Sequence, residues 1–169
     1  MLGLGERKTC NKGVTMIELA VVMTIIAIIA LFVSPALGEW VAGFRVRGAS
    51  KDLTDTLQLA RLKSISTGNQ YRVQININNG NSTETFVLQE DDPTTGWTNE
   101  GSVKTLPTGV NIDNIDGADV GNINRTFNTD GTATGLGSTT SIVYIKNQQN
   151  DQYRIVISQT GIVKMSEGW

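Results

Sequence analysis

The first feature of the chain is a long apolar segment that follows a short polar start. No charged residue occurs between Glu18 and Glu39, a stretch of 20 positions. In a helix this stretch spans roughly 30 Å, the thickness of a bilayer's hydrocarbon core. Residues 1–13 carry three basic side chains against one acidic one, which favours a cytoplasmic N-terminus. The pattern predicts a membrane-spanning helix over 14–38, with the rest of the chain exported.

Glu18 is the only charged residue inside this apolar segment. A carboxylate at mid-membrane costs about 2.5–3.5 kcal/mol on insertion scales, and less near an end of the span. Glu18 is therefore either the interfacial end of the helix or a residue with a specific partner. The physical argument alone leaves both interpretations open.

Beyond the apolar segment, residues 39–67 have the pattern of an amphipathic helix. Charged residues fall largely off one apolar stripe, and Gly68-Asn69 is a typical helix stop. Pro35 lacks a backbone N–H and is expected to kink the helix before this part begins. The apolar residues expected to form the buried stripe recur at steps of three to five: Trp40, Phe44, Ala49, Leu53, Leu57 and Ala60.

The second half of the chain shows the patterns of short β-strands. Residues 71–77 alternate between apolar and polar, as in a half-buried strand. Asn79-Gly80 is a hairpin signal leading into 83–90, and residues 91–100 are predicted to form a loop. Further candidate strands are 103–106, 110–115, 123–127, 141–146, 153–158 and 162–165.

This order of elements predicts an α+β protein. A long N-terminal helix would pack its apolar stripe on a C-terminal antiparallel β-sheet or sandwich. The globular domain is expected over residues 39–169, with the helix over 39–67 and the β-rich part over 70–169.

Two residue types narrow the chemistry. The chain has no His, which excludes His-based general acid–base catalysis and His metal ligands. Its only Cys is Cys10, so no intramolecular disulfide can form. We therefore expect no enzyme activity and no cofactor.

The charge of the chain argues against nucleic acid as a partner. Charged residues make up 18% of the sequence, with a net charge of −2. Without residues 1–13, which hold three basic residues and one acidic residue, eleven basic and fifteen acidic residues remain, a net charge of −4. No basic patch of the kind that binds phosphate backbones is present in the pattern.

Two further groups of residues could carry binding chemistry. Asp113, Asp116 and Asp119 could supply oxygen ligands to Ca²⁺, but their spacing is not that of an EF-hand loop, and solvated loop carboxylates are the simpler interpretation. Trp97 and Trp169 could be exposed anchors for a partner. No metal site is predicted.

Residues 12–18, KGVTMIE, followed directly by an aliphatic run, resemble the class III signal sequence of type IV prepilins and type II secretion pseudopilins. The resemblance implies that prepilin peptidase cuts after Gly13 and that the new N-terminal residue, Val14, is methylated. Val14 stands where the family most often has Phe. Glu18 then falls on the fifth mature position, where the family's carboxylate pairs with the N-terminal amine of a neighbouring subunit. Pro35 matches the helix-bending Pro of many pilins.

The alternative is an ordinary secretory signal peptide. The small residues of Ser34-Pro35-Ala36 offer a possible cut after Ala36. An acid within the apolar region and the length of that region both argue against it, because such regions usually have 7–15 residues.

The rest of the chain resembles the type II secretion protein H (GspH)/FimT-like group of minor pseudopilins and minor pilins. The resemblance is carried by residues 59–64, 127–131, 141–145 and 153–163, although Ile162 stands where that group often has Arg. It implies the type IV pilin fold and a structural subunit of a type II secretion pseudopilus, a type IV pilus or a competence filament, near the tip.

The same resemblance implies a single pass through the bacterial inner membrane before assembly. The N-terminus would be cytoplasmic and the globular domain periplasmic or extracellular. Partners would be other pilin or pseudopilin subunits and prepilin peptidase. The alternatives are a Sec-exported or membrane-anchored β-rich binding protein or enzyme, and a minor pilin of DNA uptake.

Overall fold

The structure is a computed structural model that describes residues 13–78, 83–116 and 121–168. The side chains at 32–37 and at Asn114 lie outside this description, as does the hairpin turn predicted at Asn79-Gly80. The chain divides into two compact units, Met1–Gly38 and Glu39–Trp169.

One long helix, α1, runs over Met16–Thr67. Within the Glu39–Trp169 unit, Ser50 and Thr54 share its buried face, and each hydroxyl donates to the carbonyl four residues earlier at 2.8 Å. These bonds satisfy the polar atoms that the packing removes from water. The helix ends at the predicted stop, where Gly68 has a φ of +74°. The apolar residues that this face buries are Val46, Ala49, Leu53, Leu57 and Ala60.

The predicted start of the buried stripe was wrong. Trp40 and Phe44 are 64% and 53% exposed, so neither belongs to the core. Both side chains line a surface groove, and the packed stripe begins at Val46. Helical periodicity identifies which residues share a face, but it does not tell where along that face the sheets end.

The described strands form two antiparallel sheets. The larger has the order β3-β2-β1-β6-β7, with β4 also paired to β2, and the smaller has the order β10-β9-β8-β5. The strand bounds are β1 Tyr71–Ile77, β2 Thr85–Asp92, β3 Gly96–Asn99, β4 Lys104–Thr105, β5 Val110–Ile115, β6 Gly121–Phe127, β7 Ala133–Thr134, β8 Thr140–Asn147, β9 Gln152–Ser158 and β10 Val163–Glu167.

The loop predicted over 91–100 was wrong in part. Strand β2 continues to Asp92 and returns as β3, with the register Asp91 to Trp97 and Gln89 to Asn99. The Asp92 carboxylate accepts the N–H groups of the next turn, which tightens the hairpin. Strand β7 was also missed, because a strand of two residues is too short to show an alternation of apolar and polar side chains.

The core lies where the helix stripe meets the inward faces of both sheets. Alternation in β1 buries Tyr71, Val73, Ile75 and Ile77, as predicted. Strands β8 and β9 supply the opposite wall, with Val143, Ile145, Ile155 and Ile157 fully buried. Each such side chain contributes about 1.5–3 kcal/mol relative to exposure. The structure therefore confirms the α+β class, a helix packed on antiparallel sheets.

Candidate functional site

The N-terminal segment begins with a helix cap. Thr15 precedes the first helical residue, Met16, and its hydroxyl accepts the N–H of Glu18 at 3.3 Å. The Thr15 carbonyl accepts the N–H of Leu19 at 3.2 Å. The sequence Thr-x-x-Glu at these positions is that of a capping box. Glu18 thus lies in the first turn, where its negative charge is favourable to the helix dipole.

The proposed cleavage point lies just before this cap. Gly13 and Val14 are not part of the helix, and Val14 is 72% exposed. A side chain added at Gly13 would meet no atom within 4 Å. The peptide bond between them is therefore in non-helical, accessible chain, as a protease needs.

The helix over residues 16–31 has an exposed apolar surface on every side. The hydroxyl of Thr24 donates to the Ala20 carbonyl at 2.8 Å, so it is satisfied within the helix. Exposed apolar surface of this extent marks a site of contact with other molecules. Its exposed large apolar residues are Met16, Ile17, Leu19, Val21, Val22, Met23, Ile25, Ile26, Ile28, Ile29 and Leu31.

The remaining predictions for this unit stay open. Glu18 is exposed and forms no ion pair within the described residues. Pro35, the predicted kink, lies among the residues whose side chains are outside the description. Within the described part of the chain, no helix has the length and apolar character to cross a membrane.

In the globular unit, Arg61 joins three separate parts of the sequence. Its Nε donates to the Gly131 carbonyl at 3.1 Å, and its Nη2 donates to the Thr160 carbonyl at 3.3 Å. A Cβ at Gly161 would lie 1.9 Å from the Gly131 carbonyl oxygen. The two turns therefore touch each other beneath the guanidinium. The stretches around 59–64, 127–131 and 153–163, known from sequence only as a resemblance, meet at this contact.

Arg125, which the sequence did not single out, ties the two sheets together. It is 4% exposed and lies on β6 of the larger sheet. Its guanidinium donates to the Ser141 hydroxyl of β8 at 2.7 Å, to the Gly135 carbonyl at 2.6 Å and to Asp116 at 2.6 Å. Burial lowers the pKa of Arg125, and the nearby Asp116 carboxylate opposes that effect.

The carboxylates considered as Ca²⁺ ligands have other partners. The second oxygen of Asp116 accepts the N–H of Ile142 at 2.7 Å, and Asp113 forms an ion pair with Lys146. Asp119 lies outside the described residues. No metal-binding cluster occurs in the ranges that the structure describes.

Of the two tryptophans considered as anchors, only Trp97 is described. It is half-buried on β3, with the guanidinium carbon of Arg72 lying 4.1 Å from its ring centroid. Gln89, which accepts from Arg72 Nε at 2.6 Å, holds that guanidinium over the ring. One face of the ring is therefore covered by the protein's own cation. Trp169 lies outside the described residues.

The N-terminal segment matches a known protein family. The family described as "Prokaryotic N-terminal methylation motif" matches residues 8–34, which include Gly13, Val14 and Glu18. The chain therefore carries a prepilin methylation motif. Among curated proteins, none matches the sequence significantly.

The chain resembles solved structures of pilin-like proteins over most of its length. Two structures of the minor pseudopilin EpsH from the Type 2 Secretion System of Vibrio cholerae match with TM-scores of 0.56 and 0.58. Their identities are 12% and 14%, and the matches cover 73% and 74% of this chain and 97% and 96% of theirs. The type IV minor pilin FimU of Pseudomonas aeruginosa matches with a TM-score of 0.52 at 14% identity, over 72% of this chain and 87% of that one. The fold is that of minor pseudopilins and minor pilins.

Proposed function

We propose that this chain is a non-catalytic structural subunit, a minor pseudopilin or minor pilin, of a membrane-anchored filament. One observation carries the proposal: a methylation motif and a pilin-like globular fold occur in one chain, joined by a single helix. The motif belongs to prepilins and the fold to their globular part. The similar structures are those of subunits of a type II secretion system and of a type IV pilus, which supports a place in a secretion pseudopilus or a type IV pilus.

The first step of this function is processing at Gly13. Prepilin peptidase cuts between Gly13 and Val14, and Val14 becomes the methylated N-terminus. The exposed, non-helical position of this bond supports the assignment. A side chain at position 13 would meet no neighbouring atom, so the described part of the chain leaves this bond open to a protease.

The second step is insertion and assembly. The apolar surface of residues 16–31 is held in the inner membrane before assembly and among the helices of neighbouring subunits afterwards. Glu18 pairs there with the Val14 amine of an adjacent subunit, since an uncompensated carboxylate is costly in that environment. Pro35 loosens the helix near the end of this segment. The globular unit is exposed outside the membrane, near the filament tip.

Two alternative functions lead to different observations. A Sec-exported binding protein would lose residues 1–36 and begin at Leu37. A minor pilin of DNA uptake would retain the same processing but bind DNA, which the net charge of −4 without residues 1–13 disfavours.

Mass spectrometry of the N-terminal peptide tests the proposal. Full-length protein is expressed with prepilin peptidase and, as a control, with an inactive peptidase variant. We expect a peptide that begins at methylated Val14, present only with the active enzyme. Gly13→Ala is expected to be partly cleaved, whereas Gly13→Leu leaves the precursor uncut. A mature chain beginning at Leu37 would contradict the proposal and restore the secreted-protein alternative.

A further inference from the structure

A groove of about 480 Å³ opens on the globular unit where α1 passes the turn between β8 and β9. Its helix wall consists of Glu39, Trp40, Gly43, Phe44 and Arg47. The opposite wall is the backbone and side chains of 150–153, and the end is closed by 167–168. A Cβ at Gly43 would lie 3.4 Å from the Asp151 carboxylate, an ordinary van der Waals distance, so the turn lies directly beside the helix.

The groove presents aromatic rings to solvent. Trp40 and Phe44 form an edge-to-face pair, with centroids 4.5 Å apart and planes at 88°. Although they are among the largest apolar side chains of the unit, they are 64% and 53% exposed. Tyr153 adds a third ring, whose hydroxyl donates to Glu167 at 3.2 Å. Ring faces attract cations, most strongly those of Trp.

The charges in the groove are unequal. Glu39, Asp151 and Glu167 supply three carboxylates against one guanidinium, that of Arg47. Within the described residues none of these four groups forms an ion pair. Three aromatic rings and an excess of carboxylates can bind an ammonium group through cation–π and ionic interactions. The single guanidinium can bind one anionic group of the same ligand.

The position of the groove in the chain indicates which molecule carries that ammonium. Its first lining residue, Glu39, directly follows the last residue of the N-terminal unit, Gly38. Exposed aromatic residues at the end of an apolar segment are typical of the headgroup level of a bilayer. The volume accommodates one headgroup and is small for an extended peptide.

We propose that this groove binds the headgroup of a zwitterionic aminophospholipid, with the ammonium among the carboxylates and rings and the phosphodiester beside Arg47. The inference rests on the proposed function, because only an inserted chain meets lipid. It would hold the globular unit at the membrane surface until the subunit is extracted into the filament.

The test uses the processed full chain, labelled with 5-fluorotryptophan, in nanodiscs. The ¹⁹F resonance of Trp40 is assigned by its loss in Trp40→Phe. We expect this resonance to shift as phosphatidylethanolamine replaces phosphatidylglycerol of the same acyl chains. Soluble glycerophosphoethanolamine, but not glycerophosphoglycerol, is expected to produce a saturable shift for the chain in nonionic detergent.

Variants assign the effect to the groove. Glu39→Gln and Phe44→Leu are each expected to weaken the apparent affinity for glycerophosphoethanolamine about two- to fivefold, the worth of one exposed cation–π or ionic contact. Asp55→Asn is the matched control, because Asp55 is an exposed carboxylate of the same helix outside the groove. It is expected to bind as the wild type does. Circular dichroism confirms that each variant is folded.

Four outcomes would overturn the inference. Equal shifts with both lipids would show that Trp40 senses the interface without recognising ammonium. A shift with a lysine-containing peptide but not with glycerophosphoethanolamine would assign the groove to a protein partner. If the chain inserts into nanodiscs and the Trp40 resonance does not change with the headgroup, only the inference is contradicted. If the chain does not insert, the proposed function is contradicted as well.

Discussion

The two units of the chain use similar apolar residues in opposite ways. Leu53 and Leu57, in the globular unit, are completely buried against the sheets, whereas Leu31 and Met16, in the N-terminal unit, are 76% and 89% exposed. All four residues lie on the same helix. The globular unit therefore gains its stability from its own packing. The described part of the N-terminal unit leaves its large apolar side chains exposed, and such a surface marks a site of contact with other molecules.

The largest expected effect distinguishes these two kinds of leucine. Leu53→Ala removes a fully buried side chain, and we expect the free energy of unfolding of the globular unit to fall by about 2–5 kcal/mol. Leu31→Ala is the matched control on the same helix, and it should leave that free energy unchanged. Guanidinium unfolding of the processed chain in detergent measures both. Equal losses in the two variants would mean that the units are not energetically separate.

The next effect concerns the contact beneath Arg61. Gly161→Ala places a Cβ on the Gly131 carbonyl oxygen at a φ of +75°, so backbone strain of about 1–2 kcal/mol adds to an overpacking cost of about 1–3 kcal/mol. Gly101→Ala is the control, because Gly101 has a φ of +94° but open space around it. It should show the strain alone. Thermal unfolding measures the decrease in melting temperature for each variant. Equal decreases would mean that the close approach of Gly131 and Gly161 does not contribute to stability.

Regular alternation and helical spacing were enough to predict most of the globular fold. Strands β1, β5, β6, β8, β9 and β10 were each predicted within a few residues, because their inward positions are apolar and their outward positions are polar. Strand β3 was missed because its pairing with β2 depends on a turn at Asp92 and on Gln89–Asn99 contacts, neither of which gives a hydrophobic period. Trp40 and Phe44 were misplaced because their exposure depends on the limits of the sheets.

The candidate site residues also divide into those with a local sequence pattern and those that depend on tertiary contacts. Gly13, Val14 and Glu18 fall within the matched methylation motif, and their spacing is local in sequence, but their individual roles stay predictions. Arg125 has a tertiary role that sequence could not supply. The alternation of Ile123, Arg125 and Phe127 places its side chain inward, but its partners come from β8 and from the residues around Asp116 and Gly135. A charged residue at an inward strand position is the one sequence signal that could have identified it.

A third prediction separates assembly from stability. Glu18→Ala removes a carboxylate that we propose to pair with an amine on an adjacent subunit. Leaving that amine without its partner costs about 3–5 kcal/mol when the pair is well buried and less at a hydrated edge. Processing and the melting temperature of the globular unit should not change, but crosslinking to partner subunits in membranes should fall. Glu18→Gln is the control, since it preserves the capping box while removing the charge. If the Glu18→Gln variant crosslinked as the wild type does, the helix cap and not the charge would be the cause.

The smallest expected effect concerns a carboxylate that the globular unit itself buries. Glu84 is 3% exposed and accepts the N–H of Ile112, yet burial outweighs this bond and raises the pKa of its side chain above the usual 4.5. The folded state therefore binds the proton more tightly than the unfolded state does. The free energy of unfolding should then decrease as the pH rises from about 4.5 through the raised pKa.

Glu84→Gln tests this dependence, because it keeps an acceptor for Ile112 and removes the titration. The free energy of unfolding of the variant should not decrease above pH 4.5, and at lower pH it should equal that of the wild type. Asp92 and Asp130 have lowered pKa values, from hydrogen bonds within their turns, so their contributions are lost as the pH falls below 3.8 and do not overlap this window. Urea unfolding of the wild type and the variant at several pH values above 4.5 measures how the free energy of unfolding changes with pH. Parallel curves would show that Glu84 is solvated in the folded state and that its burial does not affect the stability of the globular unit.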